Sequence, residues 1–440
     1  MLLPSVTISL TSHEQPYDSI HVKQMKIGIN LLPLRPGKNG GMELYVRNLL
    51  MKLSTTDLDN EYYLISAPYN HSSLQFPNEN FKKILFQSEI TLPVKIRYLI
   101  GRVLGKNSGS DIPLKKIIGK YHLDLWFCPL LSLEPRPVKI PSLITIPDIQ
   151  HEYYPEYFSD KELFSRKQYT KPSLEMATEI ITISNFSKKC FVEKFGLDPE
   201  KIHVIPLSAD DRFSKPPDNV SSLITKYNLP AEYFLYPANG WPHKNHLALI
   251  MGFSLYRKSF NTQKHLVLTG NGLQDAVAIT NLISECDIQE YVHILGYVEP
   301  EDLPGLYKNA KALVFPSLFE GFGIPLLEAM AMECPIIASS VASIPEVAGD
   351  AAYYFDPEKP QSICDAMHRI TEDHTLRENL IRNGKNRVSC FSYDKVASRH
   401  LAIFASALSK SKDVRIAYRN NRNSLDLFIE TATQFFQRRA

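Results

Sequence analysis

Short apolar runs recur between helix-like segments, first from Lys26 to Ser184 and again from Tyr233 to Ser339, and this alternation constrains the chain more than any other feature. Runs such as Leu125–Cys128 and Ala312–Pro316 are hydrophobic almost throughout, so both of their faces must be covered. Sheets covered on both faces are parallel ones whose crossovers are helices. The first series comprises Lys26–Asn30, Tyr62–Ser66, Leu125–Cys128, Ser142–Ile146 and Glu179–Ser184. The second comprises Tyr233–Tyr236, Leu266–Thr269, Val292–Leu295, Ala312–Pro316 and Ile336–Ser339. At 440 residues the chain is too long for one core. The expectation is therefore two doubly wound α/β domains, over residues 25–213 and 223–395. Ser214–Ser222, nearly free of apolar side chains, would be the linker. Residues 1–24 read as a polar extension, unless Met25 is the true start, and residues 396–440 read as a helical tail.

Composition narrows the function. A net charge of +2 gives no global field, so nucleic acid is not an expected partner. The six cysteines lack any close-paired spacing, which points to reduced thiols in a cytoplasm and to no metal site. No apolar run is long enough to span a bilayer, and the first 24 residues lack the basic start and apolar centre of a secretory signal.

The densest chemistry lies in Glu320-Gly-Phe-Gly-Ile-Pro-Leu-Leu-Glu328, between a buried run and a helix that begins at Pro325. A strand, a glycine turn and a helix N-terminus aim free backbone N–H groups, here those of Gly321, Phe322, Gly323 and Ile324, at one spot, and the glycines let a phosphate approach closely. Glu320 and Glu328 would repel that phosphate, so they are expected to accept hydrogen bonds from hydroxyls further along the ligand. A nucleotide-sugar has that layout.

The stretch Pro316-Ser-Leu-Phe-Glu320-Gly-Phe-Gly-Ile-Pro-Leu-Leu-Glu328-Ala-Met resembles the Glu-x7-Glu donor motif of the retaining glycosyltransferases of family 4, the mannosyltransferase-like group in particular. The likeness runs from Met25 to about Tyr393. It implies the GT-B fold, two Rossmann-like domains facing each other across a cleft. It also implies transfer of a hexose, mannose or glucose favoured, from a nucleotide-diphosphate sugar to a saccharide or lipid-linked saccharide, without a metal or other cofactor and with retained configuration. By the same resemblance Gly40 and Gly41 form a donor loop, and Asp148 and His151 border the anomeric carbon. Ser184 faces the cleft, Lys244 neutralises the diphosphate, Glu320 sits by the sugar and Glu328 grips the ribose. Two departures stand out. Pro147 occupies the position before Asp148 where relatives carry a histidine, and Ala238 or Asn239 stands where an arginine is usual.

From the residues alone, Gly40-Gly41 also reads as a capping turn and Ser184 and Asp148 as caps. His151 equally suits a packed or surface site, and Lys244 a solvated one. A nucleotide-sugar epimerase and a non-catalytic nucleotide-sugar-binding protein are the competing functions. The stretch 81–120 is strongly basic and interleaved with Ile, Leu and Val, as suits contact with an anionic membrane surface at the inner membrane face, or else a solvated helix face.

Overall fold

The computed structural model describes residues 24–86, 111–215, 220–411 and 414. Its strands, in chain order, are β1 Lys26–Asn30, β2 Glu61–Ser66, β3 Phe81–Leu85, β4 Leu125–Cys128, β5 Ser142–Thr145, β6 Glu179–Thr182, β7 Ile202–Val204, β8 Tyr233–Pro237, β9 His265–Thr269, β10 Val292–Gly296, β11 Ala312–Phe315, β12 Ile336–Ser339 and β13 Ala352–Phe355. They form a seven-stranded sheet in the order β3-β2-β1-β4-β5-β6-β7 and a six-stranded sheet in the order β10-β9-β8-β11-β12-β13. Every described pairing is parallel. Central strands such as β4, β5, β11 and β12 are buried along their whole length, as their unbroken apolar runs require.

All the expected strands are present, and three more lie beside them. β3, β7 and β13 are edge strands, each covered on one side by a single neighbour. Their sequences, Phe-Lys-Lys-Ile-Leu, Ile-His-Val and Ala-Tyr-Tyr-Phe, are short or carry charge. In β3 the exposed Lys82 and Lys83 protect an open edge from further pairing, and Lys82 meets Glu61 of β2 at 2.8 Å. β3 and the helix Asp111–Lys120 are the described parts of the basic stretch; its centre, residues 87–110, lies outside the described residues, as do residues 1–23 and 415–440. The last residues of the Ser214–Ser222 stretch already belong to the helix Val220–Tyr227. No described helix is long and apolar enough to cross a membrane.

The chain passes between the sheets twice. After β7 it runs through a short turn, Asp211–Ser214, into the second sheet. After that sheet is complete, the helix Tyr393–Ser409 returns and packs against the helix Gly41–Thr56 and against β4 and β5 of the first. A buried polar chain locks this return. His400 Nδ1 lies 2.8 Å from the Val396 carbonyl and so carries the proton; Nε2 then accepts from the Tyr45 hydroxyl at 2.8 Å, and Tyr45 accepts from Thr145 at 3.1 Å.

Candidate functional site

Ligands in open parallel sheets bind beyond the carboxyl ends of the strands. Here the loops after β1, β5, β6, β8, β11 and β12 from both sheets converge there. The loop after β11 is the centre. Gly323 takes φ 102°, which a side chain would resist, and turns the chain into the helix Ile324–Ala331. The Ser343 hydroxyl fixes the loop by donating to the carbonyls of Glu320 (2.9 Å) and Phe322 (3.1 Å), and Ser339 donates to Ser317 O at 2.7 Å. With those carbonyls engaged, the N–H groups of Gly321, Phe322, Gly323 and Ile324 are left without an acceptor among the described residues. Free N–H groups gathered at a helix start in this way are suited to cradle an anion. Phe322 itself keeps its ring in the core, edge-on to Phe391, so only its main chain faces this cradle.

Glu320 points to the loop after β8, where its Oε1 lies 2.6 Å from Lys244 Nζ. That loop is held in turn by Asn245, which adopts a left-handed conformation (φ 59°) and donates to Pro316 O and Pro357 O at 3.0 and 2.8 Å. Tyr236 donates to Lys244 O at 2.8 Å. Eight residues beyond Glu320, Glu328 is partly buried and its Oε2 accepts the Tyr307 hydroxyl proton at 2.6 Å. Burial pushes the Glu328 carboxyl up to about 7, against the opposing pull of the Tyr307 hydroxyl and the Arg212 charge.

The first sheet closes the site from the other side. A Cβ on Gly321 would lie 2.7 Å from Asp148 Oδ2 and 3.0 Å from Pro147 O, so only glycine lets the loop after β11 sit against the loop after β5. Asp148 accepts from Gln150 N at 3.1 Å and lies near enough to Glu320 and Lys244 to feel both charges; burial raises its carboxyl above the usual range. Gly41, which starts the helix after β1, faces Ile324, whose Cδ1 would be 3.1 Å from a Cβ there. Gly40 before it has φ 53° and ψ −136°, a glycine conformation. Glu43 and Asn39 shape this loop by accepting from Gly37 N (2.7 Å) and Arg35 N (2.6 Å). Gly41 thus borders Ile324, Asp148 borders Gly321 and Lys244 pairs with Glu320, so these residues, with Gly40 beside Gly41, gather where the loops of the two sheets meet.

Two expected residues behave differently. Ser184 is fully buried, and its oxygen accepts from Ser187 N at 3.0 Å as the N-cap of the helix Asn185–Phe195. The first N–H groups of that helix are taken by Glu346 of the second half, at 2.7 Å from Asn185 and 2.9 Å from Phe186. His151 is buried, its ring nitrogens have no hydrogen-bond partner among the described residues, and Phe158 packs on it edge-on. Burial, helped by Arg166 and Lys167, lowers it to about 4, so it is neutral at pH 7.

Sequence reasoning missed several neighbours. His243, beside Lys244, is buried and held neutral at about 4. Arg166, on the helix Asp160–Met176, sets its guanidinium 4.5 Å from the Phe158 ring centre and acts electrostatically on Asp148, His151 and His243. Ser343 and Glu346 had a readable signal: Ile344-Pro345 after β12 repeats the strand, turn, Ile-Pro, helix grammar of Ile324-Pro325 after β11.

Residues 224–387 match the family described as Glycosyl transferases group 1. Among curated proteins, the chain is 30% identical over 261 residues to the O-antigen chain mannosyltransferase B of Escherichia coli, covering 59% of this chain and 68% of that protein. It is also 30% identical to the O-antigen chain mannosyltransferase RfbU of Salmonella typhimurium, over 58% of this chain and 66% of that one. Among solved structures, Anabaena HepE in complex with UDP-glucose superposes with a TM-score of 0.65 and 17% identity over 87% of this chain and 100% of the other. That likeness shows the fold, GT-B.

Proposed function

This chain belongs to the glycosyl transferases group 1 family, and from that premise we propose that it moves a hexosyl unit, mannose favoured, from a nucleotide-diphosphate sugar to a saccharide acceptor with retention at the anomeric carbon. One observation carries this reading. Asp148 of one half abuts Gly321 of the other, so a sugar bound next to the amide cradle meets carboxylates from both halves and the Lys244–Glu320 pair at once. The diphosphate would rest on the Gly321–Ile324 amides and the Gly40-Gly41 turn. Its charge would be balanced by Lys244, and by Arg166 in place of the arginine absent at Ala238 and Asn239. His151 and His243, both neutral at pH 7, add no positive charge. The ribose diol would donate to Glu328. The mannose preference rests on the curated relatives named above.

In the transfer step the acceptor oxygen bonds to the anomeric carbon as the bond from that carbon to the β-phosphate oxygen breaks. The departing phosphate takes the acceptor proton on the same face, so configuration is kept and a nucleoside diphosphate leaves. Side chains then contribute positioning and fixed charge rather than a nucleophile. The experiment is a thermal-shift panel of UDP-, GDP- and ADP-sugars, followed by proton NMR of the product formed from the donor that stabilises most. An α-anomer from an α-linked donor is expected. A β-anomer would overturn retention, and no stabilisation by any of the donors would overturn the nucleotide-sugar assignment.

A further inference from the structure

Beside the cleft lies a pair of partly buried phenols that the donor chemistry does not use. Tyr154 and Tyr157 belong to the short turns that follow β5, and their rings stack at 5.2 Å with planes 4° apart. Both residues are partly buried, and neither hydroxyl is among the buried polar groups that lack a partner, so the two hydroxyls are open to a ligand or to water. Tyr154 also meets Phe319 edge-on, at 5.9 Å and 74°, and Phe319 directly precedes Glu320. The pair is thereby joined through Phe319 to the loop that carries Glu320. From the second half, the exposed Glu358 in the turn after β13 lies close enough for its charge to act on both phenols.

Flat apolar faces, two open hydroxyls and a carboxylate make an amphipathic surface. A pyranose matches it: axial C–H groups give one apolar face, and the rim carries hydroxyls that can donate to a carboxylate and exchange bonds with phenols. An alkyl chain would leave the hydroxyls and Glu358 unanswered, and an anionic group would be repelled by Glu358 and by Glu156. We propose that Tyr154 and Tyr157 form the acceptor subsite, on which the terminal pyranose of a neutral saccharide stacks with one hydroxyl turned toward Glu320. This rests on the glycosyltransferase reading above. It assigns the side chains on which the receiving sugar of that saccharide acceptor rests.

The test uses the full chain, the donor chosen by thermal shift, and four small probes: methyl α-glycosides of mannose, glucose, galactose and N-acetylglucosamine. Decyl phosphate serves as the sugar-free comparison. Transfer is read by mass spectrometry, and slow donor hydrolysis without acceptor is read in parallel. Transfer to at least one glycoside is expected, with its KM raised tenfold or more in Tyr157→Ala, restored to within threefold in Tyr157→Trp, and with the donor KM unmoved. A purely structural pair would lower stability without this split between the two KM values. An unchanged glycoside KM in Tyr157→Ala, or transfer to decyl phosphate and none of the glycosides, overturns the subsite. Donor hydrolysis with no transfer to any glycoside overturns the subsite alone. Absence of both reactions in the wild type overturns the glycosyltransferase reading with it.

Discussion

Glu328 concentrates the electrostatics of the site. Its carboxyl is raised to about 7 by burial, so in the free protein it is largely protonated below that pH and ionised above it. Ionised, it accepts two ribose hydroxyls more strongly than the neutral acid would. Donor affinity should therefore rise as pH climbs through about 7. Stability should move the other way, because the fold favours the protonated form and loses that advantage between the ordinary value of 4.5 and about 7. Glu328→Gln should weaken donor binding about tenfold to a hundredfold, as loss of a charged hydrogen bond does, and should flatten the pH step. Calorimetric titration at pH 6 and 8 checks both, and a wild type with no pH step would refute the ribose role. Glu320→Gln frees Lys244 from its 2.6 Å partner and should leave donor affinity near normal while cutting turnover roughly a hundredfold. If Lys244, Arg166 and backbone amides carry the diphosphate, transfer should persist in EDTA, and a strong loss with the chelator would return that task to a metal ion. Glu320 and Glu328 stood out in the sequence because two acids flanking a glycine turn suit a ligand, and Lys244 stood out only through the family resemblance. Arg166 did not, since it stands far from every glycine turn and only the fold brings it near Asp148.

At the level of elements, legibility followed coverage. Strands with neighbours on both sides had to be apolar and could be read; of the four edge strands β10 was apolar enough to be read as well, whereas β3, β7 and β13 were not. The same logic explains Ser184: a serine before a helix reads equally as a cap or as a ligand, and here capping claimed its oxygen. Loop contacts between the halves were invisible in sequence because they depend on how the sheets face each other. Gly321 is the sharpest case. Its φ is not left-handed, so an alanine would be tolerated by the backbone; what forbids it is Asp148 Oδ2 at 2.7 Å and the main-chain carbonyl of Pro147 at 3.0 Å. Gly321→Ala should push the two loops apart, reducing kcat/KM at least tenfold with unchanged far-ultraviolet circular dichroism. Wild-type activity in that variant would mean that the approach of Asp148 to Gly321 is not required for turnover.

The whole molecule depends on a helix that follows the second sheet in sequence yet completes the first. Tyr393, Val396, Ala397, Ile403, Phe404 and Ala407 of the helix Tyr393–Ser409 are buried. At about 1.5–3 kcal/mol for each large apolar side chain, their burial is of order 10 kcal/mol, comparable with the whole stability of a typical domain. A chain ended after residue 391 should therefore lose the first half, the side that holds Gly40, Gly41 and Asp148, and with it transfer. The polar lock offers a gentler test. Removing one hydroxyl in Tyr45→Phe leaves His400 Nε2 and Thr145 without their shared partner in a dry interior, costing about 1–3 kcal/mol. His400 is lowered to about 4 by burial, so the unfolded chain takes up a proton near 6.5 that the folded one refuses, and stability should fall as pH drops below 6.5. Thermal unfolding at pH 7.5 and 5.5 separates the two effects: Tyr45→Phe should lower the midpoint at both, while His400→Phe should lose part of the acid sensitivity. Equal acid sensitivity in wild type and His400→Phe would show that this histidine does not couple the returning helix to pH.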